Sequence, residues 1–352
     1  VRLTKNFNQV PTYVAYLLSC LSVLIIVVLA IRFGSVNIPV STIFYAIVQE
    51  GLGIPMGGDI SPAHVQIVLN VRLPRVLLTL FVGASLAIAG AAFQGLLRNP
   101  LADPFTLGVS SGSALGAVAV LFFQISFIGL WTLPLVSMVS GFLTLLAVIF
   151  FTRLIQRTLS NETVILTGII MSAFLGAWLS LFVALSQEEL RHVINWLMGS
   201  VGMRGWPYVG LIIPFFISGF VLLLLCRREL NAFMYGEETA QYLGVSVQKK
   251  KYMILGAATI LTGSAVAVSG TIGFVGLVVP HMVRTVWGPN HGSLLPLSAI
   301  VGAGFLVLMD LVARTVAAPI ELPIGVVTAL IGSPIFAWML YRQSAINKRG
   351  ND

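Results

Sequence analysis

Residues 163–185 read TVILTGIIMSAFLGAWLSLFVAL, a stretch with no Asp, Glu, Lys, Arg or His. As an α-helix it would be about 34 Å long, enough to cross a hydrocarbon layer of roughly 30 Å. Inside lipid the backbone has no water to bond to, and a helix satisfies its polar groups within one segment. Similar apolar runs recur on both sides of this one, near 14–31, 76–97, 105–123, 132–152, 207–226, 252–270, 272–287, 294–313 and 324–341. The sequence therefore predicts an all-α, polytopic membrane protein with about ten transmembrane helices. The run at 272–287 is short and carries Pro280 and His281; Gly270 and Gly273 allow a tight turn before it.

Composition agrees. Of 352 residues, 57% are hydrophobic and 9% charged, with a mean hydropathy of +0.98. Soluble domains carry roughly 25% charged residues, so a surface built from this chain needs lipid as its outer solvent. A net charge of +8 can signal nucleic acid, but here the basic residues form short clusters between apolar runs, so membrane topology accounts for them and no nucleic-acid partner is expected. With ten spans both termini share a side. Arg32, Arg72, Arg75, Arg191, Arg204 and Arg314 fall on the other side. The remaining Lys and Arg, among them Arg2, Lys5, Arg98, Arg153, Arg157, Arg227, Arg228, Lys249, Lys250 and Lys251, fall on the side of the termini, which the positive-inside rule places in the cytoplasm.

The start, 1–10, is polar and basic, and the run 13–31 is longer than a signal-peptide core and lacks a small-residue cleavage site, so it reads as a retained first span. No linker or low-complexity tract divides the chain, which is expected to form a single transmembrane domain over 1–352. Residues 35–70 read as the longest outer loop, with Gly51, Gly53, Pro55, Gly57, Gly58 and Pro62 as turn formers. Residues 187–206 read as a second outer segment, part of it a short surface helix. Cys20 and Cys226 lie within apolar runs and are expected to be buried packing residues, not a disulfide.

Four features bear on function. Gly108, Gly112 and Gly116 recur at four-residue spacing, which lets helix backbones approach closely. The same stretch contains Gly108-Val-Ser110-Ser-Gly112, a formal match to a serine-nucleophile elbow, but no preceding strand and no His and acid partners accompany it, so packing is the favoured reading. Second, 233–248 is a polar cytoplasmic segment. Within it Glu237 and Glu238 sit where a helix dipole favours negative charge, and Gly244 sits where a left-handed cap ends a helix. Ala240, Tyr242 and Leu243 make this short helix apolar for a solvated loop, so it is either a surface helix or a docking helix for a cytoplasmic partner. Third, Arg72 and Arg75, with Arg314, sit at outer helix ends against the charge bias. They could meet an acidic partner, snorkel to the interface, or pair internally, Asp310 and Arg314 being four residues apart. Fourth, the chain has no G-x-x-x-x-G-K-[ST] phosphate loop, and His64, His192, His281 and His291 are scattered, so neither an ATPase site nor a metal site is expected. Ionisable groups are scarce in mid-span, which weakens a secondary-transporter reading.

Several motifs occur in order: Arg72-Leu-Pro-Arg75, Gly90-Ala-Ala-Phe-Gln94, Asn99-Pro-Leu-Ala-Asp-Pro104, Leu107-Gly-Val-Ser-Ser-Gly112, Trp196-Leu-Met-Gly-Ser200, Gly236-Glu-Glu-Thr-Ala240 with Leu243-Gly244, Gly270 to His281, Asp310 with Arg314, and Glu321 to Thr328. In this ordered set, running from about Val65 to Tyr341, the chain resembles the FecCD-type permeases, membrane subunits of ABC importers for ferric siderophores, haem and vitamin B12. The resemblance implies a multi-pass protein of a prokaryotic cell membrane. It implies a second permease subunit, identical or paralogous, two ATPases that hold ATP and Mg, an extracytoplasmic substrate-binding protein and a metal-chelate substrate, with no cofactor on this chain.

By the same resemblance, Gly236, Glu237, Glu238, Ala240, Leu243 and Gly244 form the coupling helix that enters an ATPase groove, and Arg72, Arg75 and Arg314 meet acidic residues of the binding protein. Asn99, Leu101, Asn161 and Glu162 fall at the cytoplasmic gate. Asn161-Glu162 departs from the vitamin B12 permeases, which have two small hydroxyl residues there. The competing readings are a secondary transporter or channel that needs no ATPase, and an intramembrane enzyme using Ser110.

Overall fold

Each apolar run becomes a helix. The computed structural model describes residues 11–34, 36–51, 61–186 and 189–349, which contain no strand. In chain order the helices are α1 (Thr12–Arg32), α2 (Val40–Tyr45), α3 (Pro62–Gln66), α4 (Leu73–Leu97), α5 (Val109–Phe122), α6 (Thr132–Ile155), α7 (Asn161–Leu185), α8 (Leu190–Leu197), α9 (Gly205–Leu225), α10 (Arg227–Phe233), α11 (Glu237–Tyr242), α12 (Val247–Ser269), α13 (Val275–Trp287), α14 (His291–Thr315) and α15 (Ile324–Arg349). Among the described residues, eight helices are long and apolar enough to cross a membrane: α1, α4, α6, α7, α9, α12, α14 and α15. The two other expected spans are α5 and α13, of 14 and 13 residues. At about 20 Å each, neither crosses the hydrocarbon layer as a straight helix.

Local chemistry shortens them. Before α5, the Asp103 carboxylate accepts the backbone N–H groups of Phe105 (3.0 Å) and Thr106 (2.9 Å), and Gly108 turns with φ +78°. Before α13, Gly270 and Phe274 both have positive φ, and the residues between them are not helical.

The centre of the bundle is α4, α12 and α14, whose residues are mostly buried. Glycine sets their spacing. A Cβ on Gly83 would lie 2.3 Å from the Gly302 carbonyl oxygen, and one on Gly90 would lie 2.0 Å from that of Gly276. Without side chains at these points α4 approaches α14 and α13 closely. Around this core α1, α6, α7, α9 and α15 turn apolar side chains outward, Leu17, Phe150, Phe174, Leu225 and Trp338 among them, as lipid-facing surface should.

Three expectations change. The segment 35–70 is not simply a loop. It holds α2, α3 and two π-helical turns, Ala46–Gly51 and Ile67–Arg72, and the second of these runs directly into α4. The helix from Pro62 to Leu97 has 36 residues and so is about 54 Å long, longer than the hydrocarbon layer is thick. Its first turns are interrupted by Asn70, Arg72 and Arg75, which hid their helicity. Gly53, Pro55, Gly57 and Gly58 lie outside the described residues, as do Arg2 and Lys5. Cys20 is exposed on the outward face of α1, whereas Cys226 is buried; both are free thiols. An apolar run places a cysteine in the membrane but does not say which helix face it occupies.

Candidate functional site

Functional chemistry gathers at the two ends of the bundle. At one end the three arginines singled out from the sequence converge on α1 and α14. Arg72 ends the π-helical turn and donates to the carbonyl oxygens of Ile31, Arg32 (2.9 Å) and Val36. Arg314 donates to those of Ala30 (2.9 Å) and Phe33 (3.3 Å). The last carbonyls of a helix have no intrahelical partner, so these two guanidiniums close the end of α1. Both are buried.

Arg314 Nε also lies 3.1 Å from Asp310 Oδ2, and Arg75 Nη2 lies 2.8 Å from Asp310 Oδ1. The other arm of Arg75 reaches Glu321 at 2.9 Å, and the Glu321 side chain is 52% exposed. All three arginines are thus engaged within the chain, and only the Arg75–Glu321 pair reaches the surface.

Beside this cluster three of the separated sequence motifs meet. Gly199 N–H, just past α8, donates to Trp196 O at 3.1 Å, Ser200 N–H donates to Ser269 O at 2.7 Å, and Ile324 N–H donates to Gly199 O at 3.0 Å. Cβ atoms on Gly199, Gly270 and Gly325 would lie 2.5, 2.1 and 2.4 Å from the carbonyl oxygens of Thr271, Trp196 and Met198. Trp196–Ser200, Gly270–Ile272 and the start of α15 therefore form one backbone junction that admits no side chain at these glycines.

At the opposite end lies the polar segment 233–248. Gly236 (φ +111°) opens α11, a conformation L-residues rarely adopt. Gly244 (φ +82°) closes it: Gly244 N–H donates to Gln241 O and Val245 N–H to Ala240 O, the paired bonds of a Schellman cap. The expected short helix is present as Glu237–Tyr242. Ala240 is its one buried residue, while Tyr242 and Leu243 are 91% and 68% exposed.

Nearby, Asn99 Oδ1 accepts Leu101 N–H at 2.9 Å, and Leu101 projects outward, 47% exposed. Asn161 and Glu162 begin α7, which Ser160 caps. Asn161 Nδ2 donates to Leu96 O at 3.1 Å, joining this loop to the end of α4. Asp103 sits in the same region. Burial raises its carboxyl to about 6, against the opposing hydrogen bonds from Thr106 and Phe105.

The glycines of α5 divide in role. A Cβ on Gly112 would lie 1.9 Å from Thr144 Oγ1 and one on Gly116 would lie 2.6 Å from Ser140 Cβ, so both seat α5 on α6, where Ser140 Oγ donates to Gly112 O at 2.7 Å. Gly108 instead makes the turn before the helix. The Ser110 hydroxyl is buried without a hydrogen-bond partner among the described residues, and a serine nucleophile needs an adjacent base.

Sequence reasoning missed Lys251, which it had counted only as a topology marker. The side chain is 2% exposed and donates to Leu159 O, to Asn161 Oδ1 (2.9 Å) and to Glu237 Oε1 (2.5 Å). In the run Lys249-Lys250-Lys251 the sequence offered no way to tell the buried lysine from the solvated ones.

A bundle of apolar helices with a polar segment at one end and a charged cluster at the other is the architecture of a multi-pass membrane protein. The chain aligns over 94% of its length with 99% of one chain of a solved structure described as "An inward-facing conformation of a putative metal-chelate type ABC transporter", at 34% identity and a TM-score of 0.82. It belongs to the FecCD transport family, whose model matches residues 22–342. It is 54% identical over 345 residues, 97% of this chain and 96% of the relative, to the uncharacterized ABC transporter permease protein YvrB of Bacillus subtilis (strain 168). It is 40% identical over 314 residues, 87% of this chain and 80% of the relative, to the cobalamin import system permease protein BtuC of Halobacterium salinarum. The chain is the permease component of an ABC importer.

Proposed function

We propose that this permease works in a pair, with ATP and Mg held on separate ATPase subunits, and carries a metal chelate delivered by an extracytoplasmic binding protein. Residues 1–352 act as one transmembrane domain with both termini in the cytoplasm, and 233–248 is the coupling segment. The observation that carries this reading is α11. An aromatic and an aliphatic side chain, Tyr242 and Leu243, stand exposed on a six-residue helix pinned by Ala240 and two positive-φ glycines. Such a rigid apolar knob at the polar end of a membrane bundle fits a groove on a partner better than open water.

Asn99, Leu101, Asn161 and Glu162 are assigned to the gate beside it, an assignment supported by the bond from Asn161 to Leu96 O. Docking of the binding protein is assigned to the Arg75–Glu321 rim, where charge steers encounter and fixes register. Arg72 and Arg314 support that surface from beneath by holding α1. In the proposed cycle, ATP binding draws the ATPases together and α11 of each permease follows. ATP shifts the gates only if it binds the two states differently.

Cobalamin and ferric siderophores are the preferred cargoes, ahead of haem. Relatives named for cobalamin (40% identical), hemin (43%) and Fe(3+) dicitrate (40%) support the metal-chelate class as a whole, and the scarcity of ionisable side chains in the spans suits a large chelate. The test is uptake of labelled cobalamin, ferric siderophore and haem in cells with and without this gene, together with co-purification of an ATPase. One cargo lost on deletion and restored by the wild-type gene, but not by Leu243→Glu, is the expected result. Uptake that follows an ion gradient and survives ATP depletion would favour a secondary transporter and refute the proposal.

A further inference from the structure

We infer that Lys251 is the positioning residue that carries movement of α11 to the gate, by holding α11, the loop before α7 and the end of α4 as one unit. This rests on the importer reading given above.

An ammonium group has three donors and no acceptor, and here all three are used on two different elements. Glu237 Oε1, 2.5 Å away, belongs to the first turn of α11. Leu159 O and Asn161 Oδ1 belong to the loop that enters α7. Asn161 then passes the connection on through Nδ2 to Leu96 O, in the last turn of α4. Lys251 itself stands on α12, where the residues from Ile254 to Ser269 are mostly buried in the centre of the bundle. Gln248, one turn earlier on α12, accepts Leu159 N–H at 3.3 Å and braces the same loop.

The alternative role is a static pin that merely lets the loop fold. Two observations favour transmission. Lys251 is 14 positions from Glu237 but 92 and 90 positions from Leu159 and Asn161, so the link from α11 to the loop before α7 does not run along the chain. Glu237 begins the short helix whose other end presents Tyr242 and Leu243 to a partner, so a partner's pull on α11 reaches Lys251 through that single rigid turn. Arg98, at the end of α4, lines the same turn: its Nη1 is 3.6 Å from where a Cβ on Gly236 would stand. A buried charge must keep its partners, so α11 cannot shift without either taking the loop with it or breaking the bond.

The test uses the full complex of permease, ATPase and binding protein in lipid vesicles, with nitroxide labels on Leu101→Cys and Glu162→Cys in a Cys20→Ser background. Electron-spin distance measurements then report the gate with and without Mg-ATP and vanadate, so no cargo is needed. With Lys251 intact, nucleotide shifts the label distance. K251M is expected to retain the ATPase subunits and their hydrolysis while the nucleotide-driven shift in population falls about tenfold. K251R, which keeps charge and donors, restores it.

A shift in K251M equal to that of the parent overturns the inference while leaving the importer reading intact. Loss of the ATPase subunits from both K251M and K251R reduces Lys251 to a folding determinant and also overturns it. An absence of any nucleotide response in the parent complex would remove the proposed gating through α11, and the inference with it.

Discussion

Replacing Asp310 by alanine tests whether the charged cluster at the α1 end holds the bundle together. The carboxylate is wholly buried and shared, with Oδ1 2.8 Å from Arg75 and Oδ2 3.1 Å from Arg314. Removing one partner of a buried ion pair costs about 3–5 kcal/mol, because the remaining charge is left uncompensated. Here Arg75 keeps Glu321, and Arg314 keeps the carbonyls of Ala30 and Phe33. The cost should therefore fall near the lower bound, about 3 kcal/mol.

At roughly 2 °C per kcal/mol, the low end for large chains, the melting temperature drops by about 6 °C. Asp310→Asn keeps an acceptor and should lie between the wild type and the alanine variant. Glu321→Gln should cost less than about 1 kcal/mol, because that side chain is half exposed. Tryptophan fluorescence during heating of the detergent-purified protein gives the ranking. If Glu321→Gln melts as low as Asp310→Ala, or if Asp310→Ala melts with the wild type, the cluster does not bear on stability as argued.

Gly112→Ala drives a methyl group to 1.9 Å from Thr144 Oγ1 and should cost about 1–3 kcal/mol by overpacking; adding Thr144→Ala should return most of the loss in the same melting assay. Gly236→Ala should destabilise more than Gly244→Ala. The first forces φ +111°, ψ 159° on a side chain, at a cost of about 1–3 kcal/mol, whereas the second asks only for a left-handed residue with open space around it, at about 1–2 kcal/mol. Asp103 gives a pH dependence. Its carboxyl is raised to about 6 in the fold from an ordinary value of 3.8, so between those limits the folded state holds the proton more tightly than the unfolded chain. The stabilisation from its protonated form is complete below 3.8 and is lost as pH rises through 6, up to about 3 kcal/mol. Relative to Asp103→Asn, the wild type should weaken across pH 4–6 and then run parallel; a constant difference over that range would contradict the assignment.

How much the sequence tells depends on the range of the interaction involved. Stretches such as 163–185 determine that helices form and that lipid surrounds them, because backbone satisfaction and apolar length are properties of one segment. The cap at Gly244 and the acidic start of α11 are equally local, and they were legible for that reason. Where a helix bends or stops depends on a few side chains acting over a turn, which is why α5 and α13 came out shorter than their apolar runs and α4 gained an extension through Arg72.

Apart from the Asp310–Arg314 pair, four residues apart on one helix and legible for that reason, which partner a charged side chain takes was beyond the sequence. Arg72, Arg75 and Arg314 look alike at helix ends, but tertiary packing gives two of them to the carbonyls of α1 and joins Arg75 to Asp310 and Glu321, residues more than 230 positions away. Likewise, nothing in Lys249-Lys250-Lys251 marks the third as the buried one. That choice is made when α12 sets its face against the loop before α7, so the burial of a charge is decided by neighbours brought together only in the folded bundle.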